Sequence, residues 1–147
     1  MTKITIRDLK ISDKESWLNL WSQYLDYYEA SISNEMKDLA FDRLMSDDEN
    51  EFVGLIAFLD DKPIGLAHIL THRHGWLEEK IIYLQDLFVS KEARGKGAAR
   101  ALIKEIYRQA DKKNTPNVYW TTKHDNITAR KLYDKIAHDS GFIKYQR

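Results

Sequence analysis

The segment from Tyr83 to Arg100 reads Tyr-Leu-Gln-Asp-Leu-Phe-Val-Ser-Lys-Glu-Ala-Arg-Gly-Lys-Gly-Ala-Ala-Arg, and it is the stretch best suited to hold a charged group. A β-branched and aromatic run ends near Val89, a short loop follows, and a helical pattern starts at Gly97. Glycine lets the backbone come close to a ligand, and a helix start presents N–H groups with no partner in the helix. Gly95, Gly97, Ala98 and Ala99 therefore offer a cradle for a phosphate or pyrophosphate, with positive charge from Arg94, Lys96 and Arg100. The Gly-x-x-x-x-Gly-Lys-Ser/Thr spacing of a nucleotide P-loop is absent. The dinucleotide fingerprint is absent too, because Arg100 stands where its third glycine is needed. Taken alone, the same glycines also suit a plain tight turn before a helix.

The elements that must position this loop follow from periodicity. Ile4, Ile6 and Leu9 open a short strand, and Ser12 or Asp13 caps a helix running to about Ala30. Trp17, Trp21, Tyr24 and Tyr28 make one face of it. A second helix is predicted over Glu35 to Met45, with Met36, Leu39, Ala40, Leu44 and Met45 inward. Phe52 to Leu59 and Ile64 to Thr71 form a hairpin around an Asp60-Asp61-Lys62-Pro63 turn, and Ile81 to Val89 is a third strand. A helix over Gly97 to Lys112 buries Ala98, Leu102, Ile103, Ile106 and Tyr107. A strand from Val118 to Thr122, a helix from Ile127 to about His138 capped by Asn126, and a last strand from Phe142 to Tyr145 complete the chain. This order predicts a mixed α/β sheet with helices packed on it.

The 147 residues suit one domain spanning 1–147, and 43% hydrophobic with 31% charged residues excludes a disordered or fibrous chain. A formal net charge of zero argues against a cationic nucleic-acid binder. The zero is uneven, however: residues 1–51 carry a balance of −6 and residues 91–147 a balance of +8. The chain has no cysteine, which excludes disulfides and thiolate zinc sites. His72 and His74 make too small a set for a metal and read as a solvated hairpin end. The opening Met1 to Arg7 reads as strand rather than signal peptide, and no apolar run is long enough to span a bilayer. The expectation is a soluble, cytoplasmic protein.

Several spaced motifs now converge. Arg94-x-x-Gly97-x-Ala99 after Leu87-Phe88-Val89 resembles the acetyl-CoA-binding motif of the GNAT superfamily of N-acetyltransferases, Arg/Gln-x-x-Gly-x-Gly/Ala. Val118-Tyr119-Trp120-Thr121-Thr122, then Asn126-x-x-Ala129-x-x-Leu132-Tyr133, then Gly141-Phe142 resemble the second half of that family in order. The resemblance implies a mixed, mostly antiparallel central sheet with helices on both faces. It places the pyrophosphate of acetyl-CoA on Arg94 to Ala99 and the pantetheine arm along the backbone of Leu87, Phe88 and Val89. It assigns Asn126 a hydrogen bond to that arm and Tyr133 the protonation of the leaving thiolate, with no metal required. Asn126 and Tyr133 are seven residues apart, within roughly 20° of each other on a helix face. Without the motif, Tyr133 would read as a core tyrosine.

The acceptor in such a reaction is an amine, which must lose a proton before it attacks. Gln85 and Asp86 are the strand positions that could serve, and alternation lets only one face the cleft. The strand resembles that of diamine acetyltransferases, which carry glutamate where this chain has Gln85. Glutamine cannot be a base but can hold a water. Asp86 reads either as the base or as a buried acceptor for backbone N–H groups, and Glu78 or Glu79 could approach from the strand's start. At the end of the first helix, Tyr27, Tyr28, Asp26 and Glu29 combine aromatic faces and carboxylates, which attract cations. Trp17, Trp21 and Tyr24 read as core. The aromatic first helix is similar to the histone and polyamine acetyltransferase branch, which implies a homodimer and a cationic amine: a polyamine, a lysine side chain or a small amine. A non-catalytic acyl-CoA-binding module on the same fold is the second reading.

Overall fold

The computed structural model describes residues 3–147. Met1 and Thr2, at the start of the expected opening strand, lie outside the described residues. Five strands form one sheet in the order β1 to β5: β1 (Ile4–Asp8), β2 (Val53–Leu59), β3 (Lys62–His72), β4 (Ile81–Val89) and β5 (Val118–Tyr119). The first three junctions are antiparallel and β4 pairs with β5 in parallel. Helices α1 (Lys14–Tyr27), α2 (Asn34–Leu44), α3 (Ala98–Lys112) and α4 (Ile127–Ile136) complete the fold.

Strand alternation sorts the apolar residues onto two faces. Leu55, Ala57, Ala67, Ile69, Ile82 and Leu84 pack against Leu102, Ile103, Ile106 and Ala110 of α3. Ile56, Leu66 and Phe88 pack on the other face against Trp17 and Leu20 of α1 and Phe41 of α2. Phe41, not Leu39, is the buried anchor of α2, because it meets the Trp17 ring at 5.2 Å while Leu39 faces solvent.

Several expected boundaries move. Asp13 does not cap α1 through its side chain: its carboxylate takes two bonds from the Arg7 guanidinium at 2.7 and 2.9 Å and one from the Lys10 N–H. That guanidinium pulls the Asp13 carboxyl below its ordinary pKa. α1 stops at Tyr27 because Glu29 adopts a left-handed φ of 53° and Ala30 N–H returns to the Leu25 carbonyl. The β2–β3 turn is only Asp60-Asp61, since Asp60 takes φ 53° and Lys62 already pairs with Leu59. β5 ends at Tyr119 rather than Thr122, and α4 ends at Ile136.

The expected strand from Phe142 to Tyr145 does not form. A strand needs a ladder, and the two-residue β5 offers almost no edge, so Phe142 stands 90% exposed and Tyr145 85%.

β4 leaves no room for a side chain at Gly65 of β3, where a Cβ would lie 2.8 Å from the Phe88 carbonyl oxygen. Gly65→Ala is expected to lower stability by about 1–3 kcal/mol, because the obstacle is backbone and cannot swing away. Chemical denaturation checks this, and a midpoint equal to wild type would contradict the packing.

Candidate active site

β4 is where the two halves of the site meet. It pairs with β3 from Ile81 to Val89 but with β5 only at Ile82 and Tyr83. From Leu84 onward its outer edge has no strand partner among the described residues, so an extended ligand carrying amides can add there as a strand. The Val89 carbonyl at the end of this edge accepts from Arg94 Nε at 3.2 Å.

Ser90 leads into a single 3-10 turn, Lys91–Ala93, and the chain then reaches α3 through Arg94, Gly95, Lys96 and Gly97. Gly95 and Gly97 have φ of 80° and 85°, values that disfavour any side chain. A Cβ at either would meet no protein atom within 4 Å, so the space over the turn is open. Gly97 is the N-cap of α3, gives no side-chain cap, and no acidic residue follows in the first turn. The N–H groups of Ala98 and Ala99 are left for an anion. Lys96 is exposed beside them. Arg94 turns the other way: its guanidinium stacks 5.5 Å from the Tyr27 ring and 6.0 Å from Phe88, joining the loop to the end of α1.

On the α1 face of β4 lies Asp86. It reaches this face because Gln85 is an extra residue: His68 pairs with Asp86, but Ile69 pairs with Leu84. This bulge shifts the alternation, so that Leu84 and Leu87 both face α3 while Asp86 and Phe88 face α1. Asp86 Oδ2 lies 2.8 Å from His68 Nδ1, and His68 Nε2 lies 2.8 Å from the Trp17 indole nitrogen. The Tyr24 hydroxyl faces the same carboxylate. Burial pushes its pKa well above the phenol range, helped by the Asp86 charge beside it. Among the described residues no lysine or arginine pairs with Asp86.

Tyr133 closes the site from α4. Its ring meets Trp120 edge-on at 5.3 Å. Burial raises its pKa, and the nearby Tyr28 hydroxyl raises it further. Tyr28 is shifted the same way by burial, Tyr27 and Asp86. The Tyr24 and Tyr28 rings meet edge-on at 5.0 Å, and Tyr28 lies close enough to Asp86 and Tyr133 for its titration to respond to the first and to influence the second. Asn126 is the N-cap of α4 but donates to Thr122 Oγ1 at 3.2 Å instead of capping. With Tyr27, Tyr28, Lys123 and Asp125 it lines a cavity of about 390 Å³.

The fold therefore brings Asp86, Tyr28 and Tyr133 together and sets the glycine turn beside them. Gln85, expected as an alternative to Asp86, is the exposed bulged residue. Asp26 and Glu29 are exposed at the end of α1. Glu78 and Glu79 precede β4, and with a strand rise of ~3.3 Å per residue they begin roughly 20 Å from Asp86. Sequence reasoning missed His68 and placed Trp17 and Tyr24 only in the core. The one signal for His68 was a histidine at an otherwise apolar position of a buried strand. His72, read as a solvated hairpin end, bonds the Tyr119 hydroxyl at 2.7 Å.

The model of the acetyltransferase (GNAT) family matches residues 16–138. The chain belongs to this family. A D-amino-acid N-acetyltransferase, HPA3 of Saccharomyces cerevisiae, is 35% identical, the alignment covering 99% of this chain and 91% of that protein. A thialysine N-ε-acetyltransferase of Caenorhabditis elegans is 29% identical over 66% of this chain and 61% of its own length. Among solved structures, an aminoglycoside N-acetyltransferase in complex with CoA has the same fold, with a TM-score of 0.80 at 18% identity over 100% of this chain and 95% of that one. This GNAT chain is an acetyl-CoA-dependent N-acetyltransferase, and its open glycine turn and free β4 edge fit that co-substrate. No helix among the described residues is long and apolar enough to cross a membrane.

Gly97→Val would force a β-branched side chain into a left-handed conformation at the mouth of the cradle. It is expected to weaken CoA binding by tenfold or more in calorimetric titration. Wild-type affinity would show that the turn does not hold the pyrophosphate.

Proposed function

We propose that this enzyme acetylates the primary amine of a small acceptor that is cationic in solution, with Asp86 as the proton acceptor and Tyr133 as the acid. The observation that carries this reading is the Asp86 carboxylate, 15% exposed and held 2.8 Å from His68 Nδ1, beside the unpaired edge of β4. A carboxylate surrounded by phenols and lacking a lysine or arginine partner attracts an ammonium ion in their place. The D-amino-acid and thialysine specificities of the two relatives support a small amine over a protein tail, and lysine-like amines and polyamines belong to the same class.

Acetyl-CoA supplies the thioester whose carbonyl carbon is attacked and whose thiolate leaves. A lysine-like amine has a reference pKa of ~10.4, so about one in a thousand is neutral at pH 7. Asp86 takes the ammonium proton, directly or through one water, and frees the lone pair. Tyr27 and Tyr28 offer their faces to the cation. Asn126 holds the arm of the co-substrate, and the first turn of α3 holds its pyrophosphate. Tyr133 keeps its proton at neutral pH because burial raises its pKa, and it passes that proton to the departing sulfur.

The same reading includes a homodimer. Phe142, Ile143 and Tyr145 are apolar and aromatic, yet all three are exposed in a chain whose last strand is two residues long. A second copy supplies the cover such a segment lacks. Light scattering is expected to report a dimer, and deletion of residues 141–147 a monomer; a monomeric full-length chain would remove the dimer from this reading.

Thiol release over a panel of D-amino acids, lysine analogues, polyamines and aromatic amines tests the substrate class, and turnover confined to the aromatic amines, which carry no ammonium at neutral pH, would overturn it. Tyr133→Phe is expected to lower kcat by about 10²-fold or more while the CoA dissociation constant stays put. Since Tyr133 acts protonated and its pKa is raised, the basic limb of kcat is expected above pH ~10, the ordinary phenol value. A limb well below it would assign the acid elsewhere.

A further inference from the structure

We infer that His68 is a positioning residue for acetyl transfer: the buried Trp17 indole locks it in the neutral Nδ1–H form, and it in turn holds the Asp86 carboxylate in place. The inference rests on the reading of Asp86 as proton acceptor and goes beyond it, because neither His68 nor Trp17 touches substrate. Trp17 is fully buried and His68 is 4% exposed.

The protonation state follows from the inventory of donors. An indole N–H can only donate. Trp17 Nε1 lies 2.8 Å from His68 Nε2, so that ring nitrogen must accept and carries no proton. The single proton of a neutral imidazole then sits on Nδ1, 2.8 Å from Asp86 Oδ2, and donates to it. An imidazolium would set an N–H on Nε2 against the indole N–H. The His68–Asp86 contact is therefore a hydrogen bond from a neutral ring to a carboxylate, not an ion pair.

This distinction decides what Asp86 can do. An imidazolium at that distance would neutralise the carboxylate and compete with the incoming ammonium. A neutral ring orients it and leaves its charge for the substrate. Tyr24 and Tyr28 from α1 face Asp86 as neutral phenols, both with raised pKa values, and Tyr83 of β4 lies near Tyr24. Trp21 meets the His68 ring edge-on at 5.8 Å and contributes no charge. His68 and Asp86 are direct cross-strand partners, so the backbone register sets their distance.

The test combines pH profiles with the ring's own signature. In wild type, ¹⁵N-detected spectra of the histidine ring are expected to show His68 as the neutral Nδ1–H tautomer across neutral pH. His68→Phe removes the donor to Asp86. It is expected to lower kcat by about 10- to 100-fold and to move the acidic limb of kcat/KM for the amine up by roughly one pH unit, with KM for acetyl-CoA unchanged. His68→Gln retains an N–H donor and is expected to recover most of the rate. Trp17→Phe frees Nε2, and the imidazolium signal is expected to appear at a pH where wild type shows none. An Nε2–H or imidazolium ring in wild type near neutral pH overturns the inference, and so does an unmoved acidic limb in a folded His68→Phe enzyme. If that variant does not fold, the wild-type ring spectrum decides. Asp86→Asn separates the two levels. Wild-type turnover in Asp86→Asn overturns the proton-acceptor reading and this inference with it. An inactive Asp86→Asn beside a His68→Phe enzyme with the wild-type profile overturns this inference alone.

Discussion

A single extra residue in β4 sets the geometry of the whole site. Without the bulge at Gln85, strict alternation would send Asp86 toward α3 with Leu84, into an apolar core where a lone carboxylate has no partners. With it, Asp86 turns toward α1, opposite His68 and beneath Tyr24 and Tyr28. The bulge lies just past the last pairing with β5, so β4 changes its facing where its outer edge becomes free. The carboxylate and the edge for an extended co-substrate come from the same few residues.

The two ligands are then met by different physics. On the loop side the protein offers backbone: N–H groups at a helix start, kept uncapped by a left-handed glycine, with cations around them. On the amine side it offers side chains in a partly dry pocket, where burial raises the pKa of the phenols around one carboxylate. Tyr28 relates the two groups, since the Asp86 charge raises its pKa and it raises that of Tyr133 in turn.

The uneven charge of the chain has a simpler basis than its totals suggest. Half of the acidic residues of 1–51 sit on exposed positions of α2 and the loop after it: Glu35, Asp38, Asp42, Asp47, Asp48 and Glu49. Such charges are screened over about 10 Å. The carboxylate proposed to meet an amine is Asp86, from the middle of the chain. The basic C-terminal part does supply the cradle's Lys96 and the cavity's Lys123.

The local signals in the chain were strong enough to fix most elements. The glycines at 95 and 97, the apolar face of α3 and the hairpin all rest on short-range rules of turn chemistry and periodicity, which act within a few residues. Seven-residue spacing likewise put Asn126 and Tyr133 near one face. What depended on tertiary structure was each feature created by a neighbour far along the chain. The bulge exists only as a mismatch between β3 and β4. His68 becomes part of the site only because Trp17, 51 residues away, accepts no role but donor. The segment from Phe142 to Tyr145 has the composition of a strand, but pairing needs a neighbouring edge, and the two-residue β5 offers almost none. Periodicity states which way a side chain points along its own element; only the packed fold decides what it points at.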